Sequence, residues 1–322
     1  MAKLVVGVPQ EEARWRFTSR GVPVPRMGRR LPDFLLSFLM VAPALILMLV
    51  YVLYPFWQIA TGAFETQATL SSPLQWVGLA NFRAIFAQGQ FTHALVLTIY
   101  YTLGQIVLQV SLGLAIALLL NLRLPGRNIA RGTILFPFIV PAVVAALIWT
   151  YILDPATGPL DYVLVHLHLI QRPLLFLSDP NMAMNTVVLI SVWKYMPLII
   201  ILFLARLQTI PVEILEAARC DGANAWQTFR HVTWPWVFPV VLIAIMVRTI
   251  LSFNEFDMPY LLARGGPLNT VFTLPVMIRS LINDQNQLGQ ASAVSLIMIA
   301  ILVVVCLAYV WAYRHGERGL DG

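Results

Sequence analysis

Residues 207–239, LQTIPVEILEAARCDGANAWQTFRHVTWPWVFP, form a polar island between two long apolar runs, and they decide how the rest of the chain is read. Pro211 predicts a helix start, because the first turn of a helix has no intrahelical partner for the N–H that proline lacks. Glu213 and Glu216 put negative charge near the positive end of that helix. The helix is predicted over residues 211–221. Gly222 then takes the left-handed conformation that closes it, and residues 223–229 form a second short helix at an angle to the first. The product is a helix–turn–helix knuckle. Ala217, Ala218, Ala223 and Ala225 cluster at its bend, so another protein surface can come close to the backbone.

The composition says where such a knuckle sits. With 59% hydrophobic and 11% charged residues, the chain cannot bury its apolar surface in one soluble core and still present a wetted exterior. It belongs in a bilayer. Cys220 and Cys306 fall on the predicted inner loop and in a predicted span, so no disulfide framework is expected. The net charge of +6 is spread over short loops and an N-terminal arm, not gathered on one folded basic face, which argues against nucleic acid as a partner.

Six stretches, approximately 34–55, 93–121, 132–153, 182–206, 236–256 and 290–313, are predicted to cross the membrane. Each is near the twenty or so helical residues that a hydrocarbon layer of about 30 Å requires. Pro43, Pro137, Pro141, Pro197 and Pro239 lie inside them and are tolerated where neighbouring helices re-satisfy the freed carbonyls. Small residues spaced four apart, Gly113 with Ala117 and Ala291 with Ser295, allow close helix crossings. Residues 1–33 form a basic, proline-rich cytoplasmic arm suited to anionic lipid, with no apolar core for a cleavable signal. Of the 21 Lys and Arg residues, fifteen fall on the side of the termini, four in the opposite loops and two within spans. The excess puts both termini and the knuckle in the cytoplasm. The organisation expected is an arm at 1–33, a transmembrane domain at 34–313 with its loop at about 207–235, and a cytoplasmic tail at 314–322.

The outer loops are less informative. Residues 56–92 carry Trp76 and Phe82, and residues 154–181 carry Asp154, Asp161, His166, His168 and Asp179. Two histidines two residues apart in a loop do not make a metal site. Residues 273–282 are apolar but too short to span, and are predicted to lie at the outer interface as an amphipathic helix.

The knuckle has a recognisable spacing: Glu216-Ala217-Ala218, three residues, Gly222, nine residues, Val232, one residue, Trp234 and Pro235. This resembles the EAA motif of the membrane (permease) subunits of ATP-binding-cassette importers. Val232 stands where that family usually has isoleucine, and Trp234 where it has leucine. Trp193-x-x-x-Pro197, Leu207-Gln208, Ile210-Pro211 and Gly265-Gly266-Pro267 are similar to the carbohydrate-uptake branch, the maltose and glycerol-phosphate permease type. The resemblance covers roughly residues 36–313.

It implies an all-α integral membrane fold with six transmembrane helices and a cytoplasmic coupling helix between the fourth and fifth spans. Glu216, Ala217, Ala218, Asp221 and Gly222 would dock in a cleft of an ATPase. The implied partners are a second homologous permease, two ATP-binding cytosolic subunits and an extracytoplasmic solute-binding protein, in a bacterial or archaeal inner membrane. No cofactor is expected on this chain, with ATP and Mg bound by the ATPase. The residues agree: a P-loop needs a lysine after glycine, and the only lysines, Lys3 and Lys194, follow Ala2 and Trp193.

A route for cargo should show polar groups at membrane depth, where each is costly. The sequence offers Tyr101, Gln105 and Gln109 on one helix face, Ser191, Trp193, Lys194 and Tyr195 in the fourth span, and Arg248, Ser252, Asn254, Glu255 and Asp257 at the end of the fifth. Amides and carboxylates beside aromatic rings suit a sugar. The resemblance assigns cargo contacts to Ser191, Lys194, Tyr195, Phe253, Asn254 and Glu255. Lys194 and Arg248 are alternatively structural, pairing with Glu255 or Asp257 or snorkelling.

The function expected is a sugar or polyol importer subunit, with an anionic solute such as a glycerol phosphate as the alternative. An ion-gradient transporter would show internal repeats, and none is visible. A membrane hydrolase would show His-Glu-x-x-His or Gly-x-Ser-x-Gly, and neither is present.

Overall fold

A computed structural model describes residues 33–66, 73–122 and 125–318. Of the predicted arm only Asp33 lies among them, and the predicted tail is described as helix as far as Arg318. The chain divides into two compact units, Met1–Pro55 and Phe56–Gly322. In the first, an α-helix from Asp33 to Met48 runs through Pro43 without a break and opens into a π-helical turn at Leu49–Leu53. Its described side chains from Ser37 onward are almost all exposed and largely apolar, as a lipid-facing helix requires.

Among the described residues, five helices are long and apolar enough to cross a membrane: Ser37–Gly62, Gln90–Asn121, Ala183–Leu207, Ala225–Phe253 and Leu288–Trp311. The predicted stretch 132–153 behaves differently. It is a pair of limbs, Arg127–Ile139 and Ala142–Ile152, bent by 97°. The break is at Pro141, which has no N–H to donate and sterically drives the preceding residue out of the helical region. Val140 is accordingly extended, with ψ 128°. Pro197 and Pro239 also lie inside spans, yet their helices continue.

Among its described residues the second unit is mainly helical, with one two-residue antiparallel ladder pairing Glu65 with Trp76 and Thr66 with Gln75. The predicted interfacial helix forms at Leu274–Asn283 and buries Leu274, Val276, Met277 and Leu281. Thr98 ties it to the Gln90–Asn121 helix: its hydroxyl donates to the Ala94 carbonyl at 2.7 Å and accepts from the Leu274 N–H at 2.8 Å.

Three long helices hold the centre of this unit. Gln90–Asn121 and Ala183–Leu207 cross closely because Gly113 has no side chain. A Cβ there would stand 2.9 Å from Ile199 Cγ2, inside van der Waals contact. In a bilayer apolar burial supplies little net drive between helices, so close packing of this kind and interhelical hydrogen bonds carry the association. At one end of the bundle Ala117, Leu120, Ile199, Phe203, Leu207, Ile210, Val237 and Val241 form an apolar cluster, with Leu215, Val232 and Trp236 packed on its edge. The polar island leaves the bundle from this floor.

Candidate functional site

The knuckle forms as local backbone rules dictate. Pro211 caps an α-helix over Val212–Cys220, which Gly222 ends with φ +77°. The Gly222 N–H reaches the Arg219 carbonyl at 3.0 Å and the Ala223 N–H the Ala218 carbonyl at 3.0 Å, the paired bonds of a Schellman cap. The second helix is shorter than expected, Ala225–Thr228, and runs into a π-helical turn at Phe229–Thr233. Its start is set by a capping box that the sequence reading passed over: Asn224 Oδ1 accepts from the Gln227 N–H at 2.9 Å, and Gln227 Oε1 accepts from the Asn224 N–H at 2.8 Å. The Asn-x-x-Gln spacing was the available signal.

Of the residues assigned to docking, Glu216, Ala217, Asp221 and Gly222 are exposed and Ala218 is half-buried. A Cβ on Gly222 would meet nothing within 4 Å. Glycine is required there by conformation alone, and the tip is free to receive another surface. Along the flank, Trp226, Phe229, Trp234 and Phe238 make consecutive ring contacts at 5.7, 6.2 and 5.7 Å.

At the base, three contacts close a ring. Arg206 Nε donates to the Trp236 carbonyl at 2.8 Å, and its guanidinium carbon lies 5.2 Å from the Trp236 ring centre. Trp236 Nε1 donates to Thr209 Oγ1 at 3.2 Å, and that hydroxyl donates to the Arg206 carbonyl at 2.8 Å. Nothing in the spacing of Arg206 and Trp236 announces this pairing.

The second candidate site is a buried polar cluster between Gln90–Asn121, Ala183–Leu207 and Trp234–Phe253. Tyr101, Gln105 and Gln109 share one helix face as expected, and all are fully buried. Tyr101 Oη and Ser191 Oγ are 2.8 Å apart, and Gln109 Nε2 donates weakly to Gln105 Oε1 and the Ser191 carbonyl, each at 3.4 Å. Arg248 Nη2 donates to Gln105 Oε1 at 2.5 Å and to Ser252 Oγ at 2.8 Å, while its guanidinium lies 5.2 Å from the Tyr195 ring centre. Tyr195 donates its hydroxyl proton to Glu255 Oε1 at 2.7 Å.

Ser191, Tyr195 and Glu255 are therefore brought into one network, with Arg248 and Gln105 at its centre although neither was assigned a cargo contact. Lys194 adjoins it, 5.3 Å from the Tyr195 ring, but its Nζ donates to the Val140 carbonyl at 2.6 Å. Phe253 packs away from the network, in the apolar cluster of Ala94, Leu274 and Val294. Asn254 is exposed and donates to the Ile250 carbonyl of its own helix. The alternative of Lys194 or Arg248 in an ion pair with Glu255 or Asp257 is not what forms, since the ion pair among the described residues is Arg279 with Asp284 at 3.3 Å.

Gln105 Nε2, Gln109 Oε1 and Arg248 Nε have no hydrogen-bond partner. Buried polar atoms are rarely left so, and three of them fall in this one cluster. The cluster thus offers donors, an acceptor and an aromatic ring, with no nucleophile held by a base.

Comparison with known proteins bears on both sites. The chain is 32% identical over 291 residues to a probable ABC transporter permease of Brucella suis, covering 90% of this chain and 99% of that one. It is 30% identical over 274 residues to MalF, the trehalose/maltose transport system permease protein of Thermococcus litoralis, covering 85% and 92%. SmoG, the sulfoquinovosyl glycerol transport system permease protein of Agrobacterium fabrum, is 31% identical over 294 residues, covering 90% and 95%. Among solved structures, a chain of a bacterial ABC transporter involved in import of the acidic polysaccharide alginate superposes with TM-score 0.79 at 22% identity, covering 88% of this chain and 96% of that one, which establishes a shared fold. The profile of the family described as binding-protein-dependent transport system inner membrane component matches residues 109–322, the part that contains the knuckle and most of the polar cluster. The chain belongs to that family of inner-membrane permeases.

Proposed function

We propose that this chain is one of two membrane subunits of an ATP-driven importer carrying a di- or oligosaccharide or a related polyol. In this reading the broken pair counts as a sixth span and both termini are cytoplasmic. The knuckle at Glu216, Ala217, Ala218, Asp221 and Gly222 docks in a cytosolic ATPase, which binds ATP and Mg. A solute-binding protein delivers cargo from outside. The exposed tip around Gly222, on a base tied to two spans, is the observation that carries the reading. A docking element must be open at its end and stiff at its root.

Sugar as cargo is supported by the relatives named for trehalose/maltose and sulfoquinovosyl glycerol transport and by the polar–aromatic character of the buried cluster. Ser191, Tyr195 and Glu255 are the proposed contacts, reached when the path opens. Phe253 and Asn254 join them only if that opening turns the end of the fifth span, and Lys194 braces the wall through Val140. The work of the chain is alternating access, with cargo affinity differing between the two open states.

A second reading, the same machine with an anionic cargo such as a glycerol phosphate, is favoured by Arg248, which is 1% exposed and has no carboxylate at ion-pair distance. Glu255 and Asp257 nearby weigh on the other side.

Gly222→Val tests the docking. The added Cβ has open space around it, but the substitution forces a β-branched residue to positive φ and adds bulk at the tip. Uptake into proteoliposomes should be lost while the binding protein still captures cargo. Normal uptake would refute the assignment. Stimulation of ATP hydrolysis by a neutral disaccharide but not by glycerol phosphate would separate the two cargo readings.

A further inference from the structure

The hydrogen bonds made by the polar island are almost all local. Among the described residues, those of 208–235 join near neighbours in sequence, with one exception: the contact of Thr209 with Trp236, 27 residues away. Arg206 spans the same gap in the other direction, reaching Trp236 across 30 residues. The remaining contacts at the base are apolar, among Leu207, Ile210, Leu215, Val232 and Val237. Apolar contact is non-directional and allows sliding, whereas a hydrogen bond from a charged donor has a narrow range of distance and angle.

From this we infer that Arg206 is the positioning residue that locks the two ends of the knuckle together, so that a displacement of its tip moves Ala183–Leu207 and Trp234–Phe253 as one body. The inference rests on the reading of the knuckle as the ATPase dock.

The chemistry suits arginine in particular. Its Nε–H points at the Trp236 carbonyl while the guanidinium plane covers the indole of the same residue, a double use that the point charge of lysine cannot reproduce. The acceptor lies in a weakened stretch of helix. Pro239 has no N–H for the Pro235 carbonyl, and the π-helical turn at Phe229–Thr233 has already shifted the bonding pattern upstream. Without a clamp, that stretch is where the helix would bend when the tip is pulled. Arg206 is also in the last turn of its own helix, where positive charge is favoured by the helix dipole. The Thr209 hydroxyl closes the ring by linking the Trp236 indole back to the Arg206 carbonyl.

The test uses the complete importer in proteoliposomes, with ATPase retention, ATP hydrolysis and cargo moved per ATP measured on the same preparation. Arg206→Met keeps the apolar stem and removes the clamp. It should retain the ATPase and hydrolyse ATP at close to the wild-type rate, while cargo moved per ATP falls about tenfold, within the usual range of coupling between sites. Arg206→Lys should fall in between. Trp236→Phe, which removes the Nε1–H and shrinks the ring beneath the guanidinium, should lower the ratio in the same direction and serves if Arg206→Met does not assemble. An unchanged ratio in these variants overturns the inference. Loss of the ATPase from the variants alone also overturns it, because Arg206 would then shape the dock itself. Uptake by a wild-type complex stripped of its ATPase would instead overturn the docking reading.

Discussion

Lys194 Nζ lies 2.6 Å from the carbonyl oxygen of Val140, the residue at which the broken pair turns through 97°. In an unbroken helix the Val140 carbonyl would accept from the Val144 N–H; the bend withholds that donor and the ammonium supplies one, so the side chain holds one span against another. This assigns Lys194 a load that a cargo contact would not have.

Lys194→Met should therefore destabilise the folded protein. Leaving a buried carbonyl without its donor costs about 1–3 kcal/mol. Thermal unfolding in detergent or nanodiscs measures it, and Lys194→Gln, which keeps an N–H donor, should recover part of the loss. If unfolding is unchanged and only the KM for uptake rises, Lys194 acts on cargo and not on the bend.

Arg248 and Gln105 bridge two helices through a hydrogen bond of 2.5 Å with both side chains buried. Removing either partner strands the other. Arg248→Met and Gln105→Leu should each cost about 1.5–3 kcal/mol, as for bonds to charged groups. The double variant should cost less than the sum, with a coupling of about 0.5–3 kcal/mol. Additive losses would show that the contact contributes nothing of its own.

The crossing at Gly113 leaves no room for a methyl group beside Ile199. Gly113→Ala should lose about 1–3 kcal/mol through overpacking. Ile199→Leu in the same chain should restore part of it, because it removes the β-branch methyl that the new Cβ meets while keeping the side-chain volume. Equal stability of Gly113→Ala and wild type would mean the helices separate freely at this point.

Asn224→Ala removes half of the capping box and should weaken the second limb of the knuckle by about 1 kcal/mol. Asn224→Asp keeps the acceptor and should not. Hydrogen exchange at residues 225–229 reads the difference directly, and equal exchange in the two variants would dismiss the cap as a stabilising element.

The knuckle was legible in the sequence because its determinants are local. Pro211 and Gly222 act through φ and through missing or reversed steric limits, and a turn of this kind needs only its own few residues. The shared face of Tyr101, Gln105 and Gln109 was legible for the same reason, since helical spacing alone puts them together. The bend at Pro141 was not. Pro197 and Pro239 are chemically equivalent to it, and which proline breaks its helix depends on whether the surrounding helices offer donors and space. Nor was the partner of Arg248 legible, because a side chain of that length has several neighbours within reach and only the packed bundle selects Gln105 and Ser252.

By itself the sequence determined that this chain lives in a bilayer, where its apolar stretches lie, and that a preformed polar turn projects between two of them. Those properties follow from transfer free energy and backbone geometry, which act residue by residue. The tertiary structure alone decided that Phe253 and Asn254 turn away from Tyr195, that Lys194 braces a broken span, and that Arg206 meets Trp236. Such pairings join residues far apart in the chain, and they exist only after the helices have chosen their rotation against one another.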